Sequence, residues 1–152
     1  MQVSIYSLTI KNMKTLIRRE RMDTPQSRLN SVLKLILCNI RYRQPDTNID
    51  FNYLLKLYKR QGGKCPYQNI ELAVIPRHQR EALNLTWIPN SISIDRIDSR
   101  KGYFRGNVQF VSTLFNKVKQ DLSNQSLFEL AKTILKNRRR YNSIFKKIKE
   151  IR

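Results

Sequence analysis

Two side chains with hard oxygen atoms, Asp95 and Asn116, lie where a short strand is predicted to end and in the first turns of a predicted helix. A hairpin packed against a helix can bring two such residues side by side, and carboxylate and amide oxygens are ligands for divalent cations. A cation held by only these two side chains keeps positions open for water and for a phosphate oxygen. That arrangement suits metal-assisted phosphodiester hydrolysis.

The residues around this pair predict a strand–turn–strand–helix unit at 91–122. Ile92 and Ile94 alternate with polar residues, which favours a half-buried strand over 91–97. A turn and a glycine-containing corner lead to a second strand over 108–111. Ser112 or Thr113 can cap the helix that follows, which is predicted to run through Leu122.

Two helices are predicted before this unit and one after it. Apolar residues recur at helical spacing over 26–43, and Asp50 is a plausible N-cap for a second helix through Tyr58. Gly62 and Gly63 would end that second helix. The stretch from there to Asn90 is expected to be mostly loop, and Ser123 begins a last helix.

These elements predict an α+β fold with a single domain. We divide the chain into a basic N-terminal arm at 1–25, a domain at 26–125 that contains the two lead-in helices and the 91–122 core, and a basic C-terminal helix or tail at 126–152.

Charge indicates a polyanionic partner. The chain has 30 Lys and Arg against 11 Asp and Glu, a formal net charge of +19. Such a field attracts nucleic acid, and release of counterions makes that binding favourable. We expect DNA or RNA as the partner, with ribonucleoprotein partners as one form of it, and no membrane, because no apolar run approaches the ~20 residues that span a bilayer.

The cysteines and the N-terminus bear on location. Cys38 and Cys65 are too few for a disulfide framework, and without a Cys-x-x-Cys pair no structural zinc is expected. We expect an intracellular protein, cytoplasmic or organellar, and not a secreted one. The basic, amphipathic N-terminus is compatible with a mitochondrial presequence and with an ordinary basic arm.

The motif around the candidate ligands resembles that of the HNH, or ββα-metal, endonucleases, and most of all their small phage and mobile-element members. The shared pattern is a Gln-Gly-Gly-Lys-Cys turn, then S-x-D-R-I-D-x-x-K-G-Y-x-x-G-N-V and a helical N-x-x-K. Here these elements are Gln61 to Cys65, Ser93 to Val108, and Asn116 with Lys119. The looser resemblance covers roughly residues 26–140.

The resemblance implies a role for each matching residue. Asp95 matches the strand ligand of the metal and Asn116 the helix ligand, so the implied cofactor is Mg²⁺ or Mn²⁺. Asn107 matches an asparagine that braces the loop by hydrogen bonds to the loop's backbone rather than taking part in the chemistry. With Arg96 these three residues form the implied catalytic centre. Cations expected to meet phosphate are Arg96, Lys101, Arg105, Lys117, Lys119, Arg138, Arg139 and Arg140.

One position departs from the family pattern. Better-known members carry a histidine after the strand aspartate as general base, and Arg96 stands there in this chain. A guanidinium stays protonated and cannot take a proton from water, although it can bind phosphate. The base would then be Asp98, Tyr103, His78 or a metal-bound hydroxide.

Three functions therefore stay open at this point, one of them a DNA-binding regulator or packaging accessory. The first is a divalent-metal-dependent endonuclease acting on nucleic acid, DNA in the first instance, of phage or homing type. The alternative is a catalytically inactive nucleic-acid-binding protein derived from that scaffold, such as a structural subunit of a mitochondrial ribosome or another ribonucleoprotein.

Overall fold

The computed structural model describes residues 23–149, which fold as a mixed α and β structure. The described chain contains a two-stranded antiparallel sheet and five helices. Residues 1–22 of the expected arm and residues 150–152 lie outside the described part. In chain order the elements are α1 (Pro25–Arg43), α2 (Phe51–Arg60), α3 (Arg77–Ala82), β1 (Ile92–Arg96), β2 (Val108–Ser112), α4 (Thr113–Lys119) and α5 (Asn124–Lys149).

Helix α1 begins with a side-chain cap and buries one apolar stripe, as its spacing predicts. The Thr24 hydroxyl accepts the Ser27 N–H at 3.1 Å, and Pro25 follows at the first helical position, where a missing N–H costs nothing. The stripe that faces the core comprises Leu29, Val32, Leu33, Ile36, Leu37 and Ile40.

Helix α2 also has the predicted start and stop. The Asp50 carboxylate accepts the Tyr53 N–H at 2.7 Å, and Leu54 is fully buried. Gly62 and Gly63 follow with φ of +61° and +67°, the left-handed conformation that ends helices. A Cβ at Gly63 would approach the Tyr58 hydroxyl to 2.8 Å, so the turn at this point needs glycine for space as well as for conformation.

The two strands form the centre of the fold. They pair antiparallel, and the register places Ile94 opposite Phe110 and Asp95 opposite Gln109. Phe110 and Val111 are fully buried in the core that α1 and α2 also line. Since side chains alternate across a strand, Asp95 projects from the face opposite to that of Ile94.

Helix α4 is shorter than the sequence predicts. Its N-cap is Ser112, whose hydroxyl accepts the Phe115 N–H at 3.0 Å, so the predicted cap is confirmed. The helix ends at Lys119 rather than at Leu122, because Gln120 adopts a positive φ of 45°. A left-handed residue cannot continue an α-helix, and the chain turns there towards α5.

Helix α5 leaves the body of the protein after its first turn. Ser123 accepts the Ser126 N–H at 3.1 Å and caps it. Leu127 is buried, but Leu130 and Ile134, further along the same helix, are 46% and 61% exposed. No helix within residues 23–149 combines the length and the apolar character that a membrane crossing requires.

Candidate functional site

Asp95 lies inside the protein, where it forms an ion pair with Lys119. The Lys119 side chain, from the last residue of α4, has no exposed surface, and that of Asp95 is 4% exposed. The Lys119 Nζ lies 3.1 Å from Asp95 Oδ1 and donates a second hydrogen bond to the Arg96 carbonyl oxygen at 2.8 Å. Lys119, which the sequence assigns to phosphate contact, is instead used entirely within the fold.

The second oxygen of Asp95 is bound from the neighbouring strand. Gln109 stands opposite Asp95, and its Nε2 donates to Asp95 Oδ2 at 2.9 Å and to the Tyr67 hydroxyl at 2.8 Å. That hydroxyl donates in turn to Asn124 Oδ1 at 2.7 Å. Burial raises the pKa of Tyr67, so the phenol remains a protonated donor at neutral pH.

Asn116 lies one helical turn before Lys119 and is bound to a different part of β1. Its Nδ2 donates to Ser93 Oγ at 2.8 Å and to the Ile94 carbonyl oxygen at 3.2 Å. The residue of α4 that bonds the Asp95 carboxylate is therefore Lys119, while the Asn116 amide bonds to Ser93 and Ile94.

This arrangement does not fit a divalent metal at Asp95. Both carboxylate oxygens already accept hydrogen bonds, one of them from an ammonium group, and the side chain is almost wholly enclosed. A metal ligand needs an oxygen that can reach the ion directly.

Arg96 emerges beside this pair and stays partly exposed. Its guanidinium contacts the Asp121 carboxylate at 3.4 Å and lies 5.5 Å from the centre of the Tyr103 ring. Its side chain is 32% exposed against 87% for Asp121, so the ion pair is a weak, solvent-screened one. The guanidinium is thus available to an anion that approaches from solvent.

Asn107 braces the loop between the strands, as the motif implies. Its Oδ1 accepts the Asp98 N–H at 2.9 Å, and its Nδ2 donates to the carbonyl oxygens of Asp98 and Gly102 at 3.1 Å and 2.9 Å. Three hydrogen bonds from one side chain hold both ends of the turn at 98–102. Asn107 is a positioning residue in this arrangement.

The same loop is docked on the end of α1. The Tyr103 N–H donates to Gln44 Oε1 at 2.7 Å, and the Thr47 hydroxyl bonds to the Tyr103 carbonyl oxygen. Gly102 has no room for a side chain, since a Cβ there would meet the Gln44 amide. Gly102 and Tyr103 of the motif are therefore required for packing of the loop.

Cations of the loop are held by acidic neighbours while they remain exposed. Asp98 contacts Arg100 at 3.1 Å and Lys101 at 3.9 Å, and the hydrogen bond from Arg100 lowers the pKa of Asp98. Arg105 contacts Asp50 at 2.5 Å. Arg100 and Lys101 are 88% and 70% exposed, so these contacts are weak and leave the cations accessible to phosphate. These loop cations line a shallow cavity of about 720 Å³.

Other predicted cations lie on the surface of α4 and α5. Lys117 places its ammonium 4.0 Å from the centre of the Trp87 ring, a cation–π contact with a ring that is 41% exposed. Arg138, Arg139 and Arg140 are exposed on α5.

The three side chains considered as a general base, Asp98, Tyr103 and His78, have different surroundings. Asp98 is engaged with Arg100, and its lowered pKa makes it a poorer base. The Tyr103 hydroxyl accepts a hydrogen bond from Arg43 at 3.3 Å. His78, on α3, lines a cavity of about 1140 Å³ that Asn116 and Ser93 also line.

Sequence reasoning missed Gln109, Tyr67 and this larger cavity. The antiparallel register could have placed Gln109 opposite Asp95, because a hairpin fixes which residues face each other. The cavity has no such signal, since its walls include a stretch around α3 that reads as loop.

Comparison with known proteins identified no relative of this chain. No family model, no curated protein and no solved structure matches the chain.

Proposed function

We propose that this protein binds nucleic acid through a strand–strand–helix unit of HNH type, with binding rather than metal-dependent hydrolysis as its activity. The observation that carries the second half of this proposal is the ion pair between Asp95 and Lys119, both buried. It satisfies the one carboxylate that the motif offers to a catalytic metal.

The binding half is supported by where positive charge is exposed. The loop between β1 and β2 presents Arg100 and Lys101 around a cavity, and Arg96, the last residue of β1, is partly exposed. Contacts of this kind meet the phosphate backbone and carry little sequence information. With a net charge of +19, the whole chain adds a long-range attraction to any polyanion.

Salt-dependent binding tests this half. The double variant Arg100→Gln/Lys101→Gln should weaken binding to a DNA duplex and to an RNA hairpin, and should reduce the slope of log K against log [salt] by roughly 2 on DNA. Lys56→Gln removes an exposed cation from α2 and serves as the control. Loss of the same affinity in both variants would point to net charge alone, and no binding by the wild type would end the proposal.

A metal-dependent endonuclease is the second candidate. It is favoured by the motif and by the position of Asn116, which lines the same cavity as His78. Supercoiled plasmid incubated with the protein in Mg²⁺ or Mn²⁺ decides between the two. Nicking by the wild type that is lost in both Asp95→Asn and Asn116→Ala would establish the endonuclease and remove the binding-only proposal.

The relative affinity for RNA and DNA tests whether the protein is a structural subunit of a ribonucleoprotein. An RNA-binding structural subunit should prefer a structured RNA over a DNA duplex of equal length at physiological salt. Equal affinity for both would indicate backbone charge as the shared determinant.

A further inference from the structure

We propose that the Lys119 ammonium is a built-in cation that takes the position a divalent metal would occupy at Asp95. This role of Lys119 rests on, and deepens, the proposed absence of a catalytic metal at Asp95, and it is tested without nucleic acid. It rests on the contacts of the ammonium, which lies between the Asp95 carboxylate at 3.1 Å and the Arg96 carbonyl oxygen at 2.8 Å. A carboxylate and a backbone carbonyl are also the oxygens that hard cations select in proteins.

Local charge explains why a metal would not join the ammonium. Asp95 carries one negative charge, and the Lys119 ammonium 3.1 Å away balances it. A divalent cation placed at the same carboxylate would face this ammonium at close range. Repulsion between such groups is strong in an enclosed site because water screens it poorly.

The fold holds the ammonium in this place. Lys119 is the last residue of α4, where the partial negative charge of the helix end also favours a cation. The following residue, Gln120, leaves the helix with a positive φ, and the Leu122 N–H donates to the Lys119 carbonyl oxygen at 2.9 Å. The backbone on both sides of the lysine is therefore fixed, and the enclosed side chain has no alternative contact with solvent.

Removal of the ammonium should convert the position into a metal site. Lys119→Ala leaves the Asp95 carboxylate and the Arg96 carbonyl oxygen around the space of the missing side chain. Titration of Mn²⁺ followed by electron paramagnetic resonance measures the free ion directly. We expect at least ten-fold tighter binding of one Mn²⁺ by Lys119→Ala than by the wild type, and loss of that binding in Asp95→Asn/Lys119→Ala.

Mn²⁺ binding by the wild type is the second measurement. Its Mn²⁺ binding should equal that of Asp95→Asn, which gives the background from other carboxylates. One Mn²⁺ bound by the wild type and lost in Asp95→Asn would overturn the proposal.

Lys119→Ala leaves a buried carboxylate without its partner, so folding needs its own measurement. Thermal unfolding followed by circular dichroism should show a midpoint that rises with Mn²⁺ in this variant and not in the wild type. Lys119→Gln, which keeps an uncharged donor near Asp95, is the second variant. If neither variant gains Asp95-dependent Mn²⁺ binding, the ammonium does not stand in for a metal and the proposal fails.

Discussion

The Gln61 side chain pairs with the backbone of Phe110 as an adjacent strand would. Its Oε1 accepts the Phe110 N–H at 2.8 Å, and its Nε2 donates to the Phe110 carbonyl oxygen at 2.9 Å. Gln61 is the C-cap of α2, and Phe110 lies at the fully buried centre of β2. One side chain thus joins the end of a helix to the edge of a two-stranded sheet that has no third strand in the described chain.

Gln61→Ala should therefore lower the free energy of unfolding more than is usual for a partly exposed residue. It leaves one backbone donor and one acceptor of β2 without partners, and each unsatisfied buried group costs about 1–3 kcal/mol. We expect a loss of about 2–4 kcal/mol in the free energy of unfolding, measured by urea denaturation. Gln26→Ala, which removes a hydrogen bond to Asn30 on the exposed side of α1, is the control and should change stability by less than about 0.5 kcal/mol.

The buried Asp95–Lys119 pair should show strong coupling in a double-mutant cycle. Lys119→Met alone leaves an unpaired buried carboxylate and should cost about 3–5 kcal/mol of unfolding free energy. The combination Asp95→Asn/Lys119→Met removes both charges and should recover much of that loss. Additive effects of the two single substitutions would contradict the contact as described.

Acid sensitivity should include a contribution from Asp98. Arg100 lowers the pKa of this carboxyl below its ordinary 3.8 in the folded state, so the ionised form stabilises the fold. That stabilisation is complete above the unfolded-state pKa and is lost as pH falls below it through the lowered folded-state pKa. Urea midpoints measured from pH 6 to pH 2 should fall less steeply below about pH 4 in Asp98→Asn than in the wild type.

The matched control is Asp46→Asn, an exposed carboxylate outside the loop. It should leave the acid limb of the stability curve as steep as in the wild type. Identical curves for the wild type and Asp98→Asn would show that the contact with Arg100, whose side chain is 88% exposed, does not contribute in solution.

Trp87 provides an intrinsic reporter for Lys117. It is the chain's one tryptophan, 41% exposed, with the Lys117 ammonium over its ring. Lys117→Gln removes this cation–π contact and should shift the emission spectrum without a change in stability beyond about 1 kcal/mol. Lys136→Gln, on exposed α5, should leave the emission of Trp87 unchanged.

The elements that begin and end on local signals could be predicted from the sequence. Asp50 caps α2, Ser112 caps α4, and Gly62 ends α2, because capping oxygens and left-handed glycines act within a few residues of one another. The bracing by Asn107 was reachable through the motif, and its three hydrogen bonds confirm it.

The environment of Lys119 could not be predicted in this way. A lysine at the end of a short helix reads as an exposed cation, since burial of an ammonium is costly unless a partner is present. That partner, Asp95, lies on another element, 24 residues away in sequence. The end of α4 at Gln120 could not be predicted either. A positive φ is common for glycine and less rare for asparagine, but it is uncommon for glutamine.

The bracing of the loop by Asn107 also bears on the kinetics of the nucleic-acid binding that we propose. A segment already held at both ends loses little conformational freedom when it meets a rigid partner, so little of the contact energy is offset by ordering. Association through Arg100 and Lys101 should then proceed in one step, at a rate set by diffusion and long-range attraction rather than by loop closure. Without the Asn107 side chain, the loop at 98–102 would have to become ordered at the moment of binding.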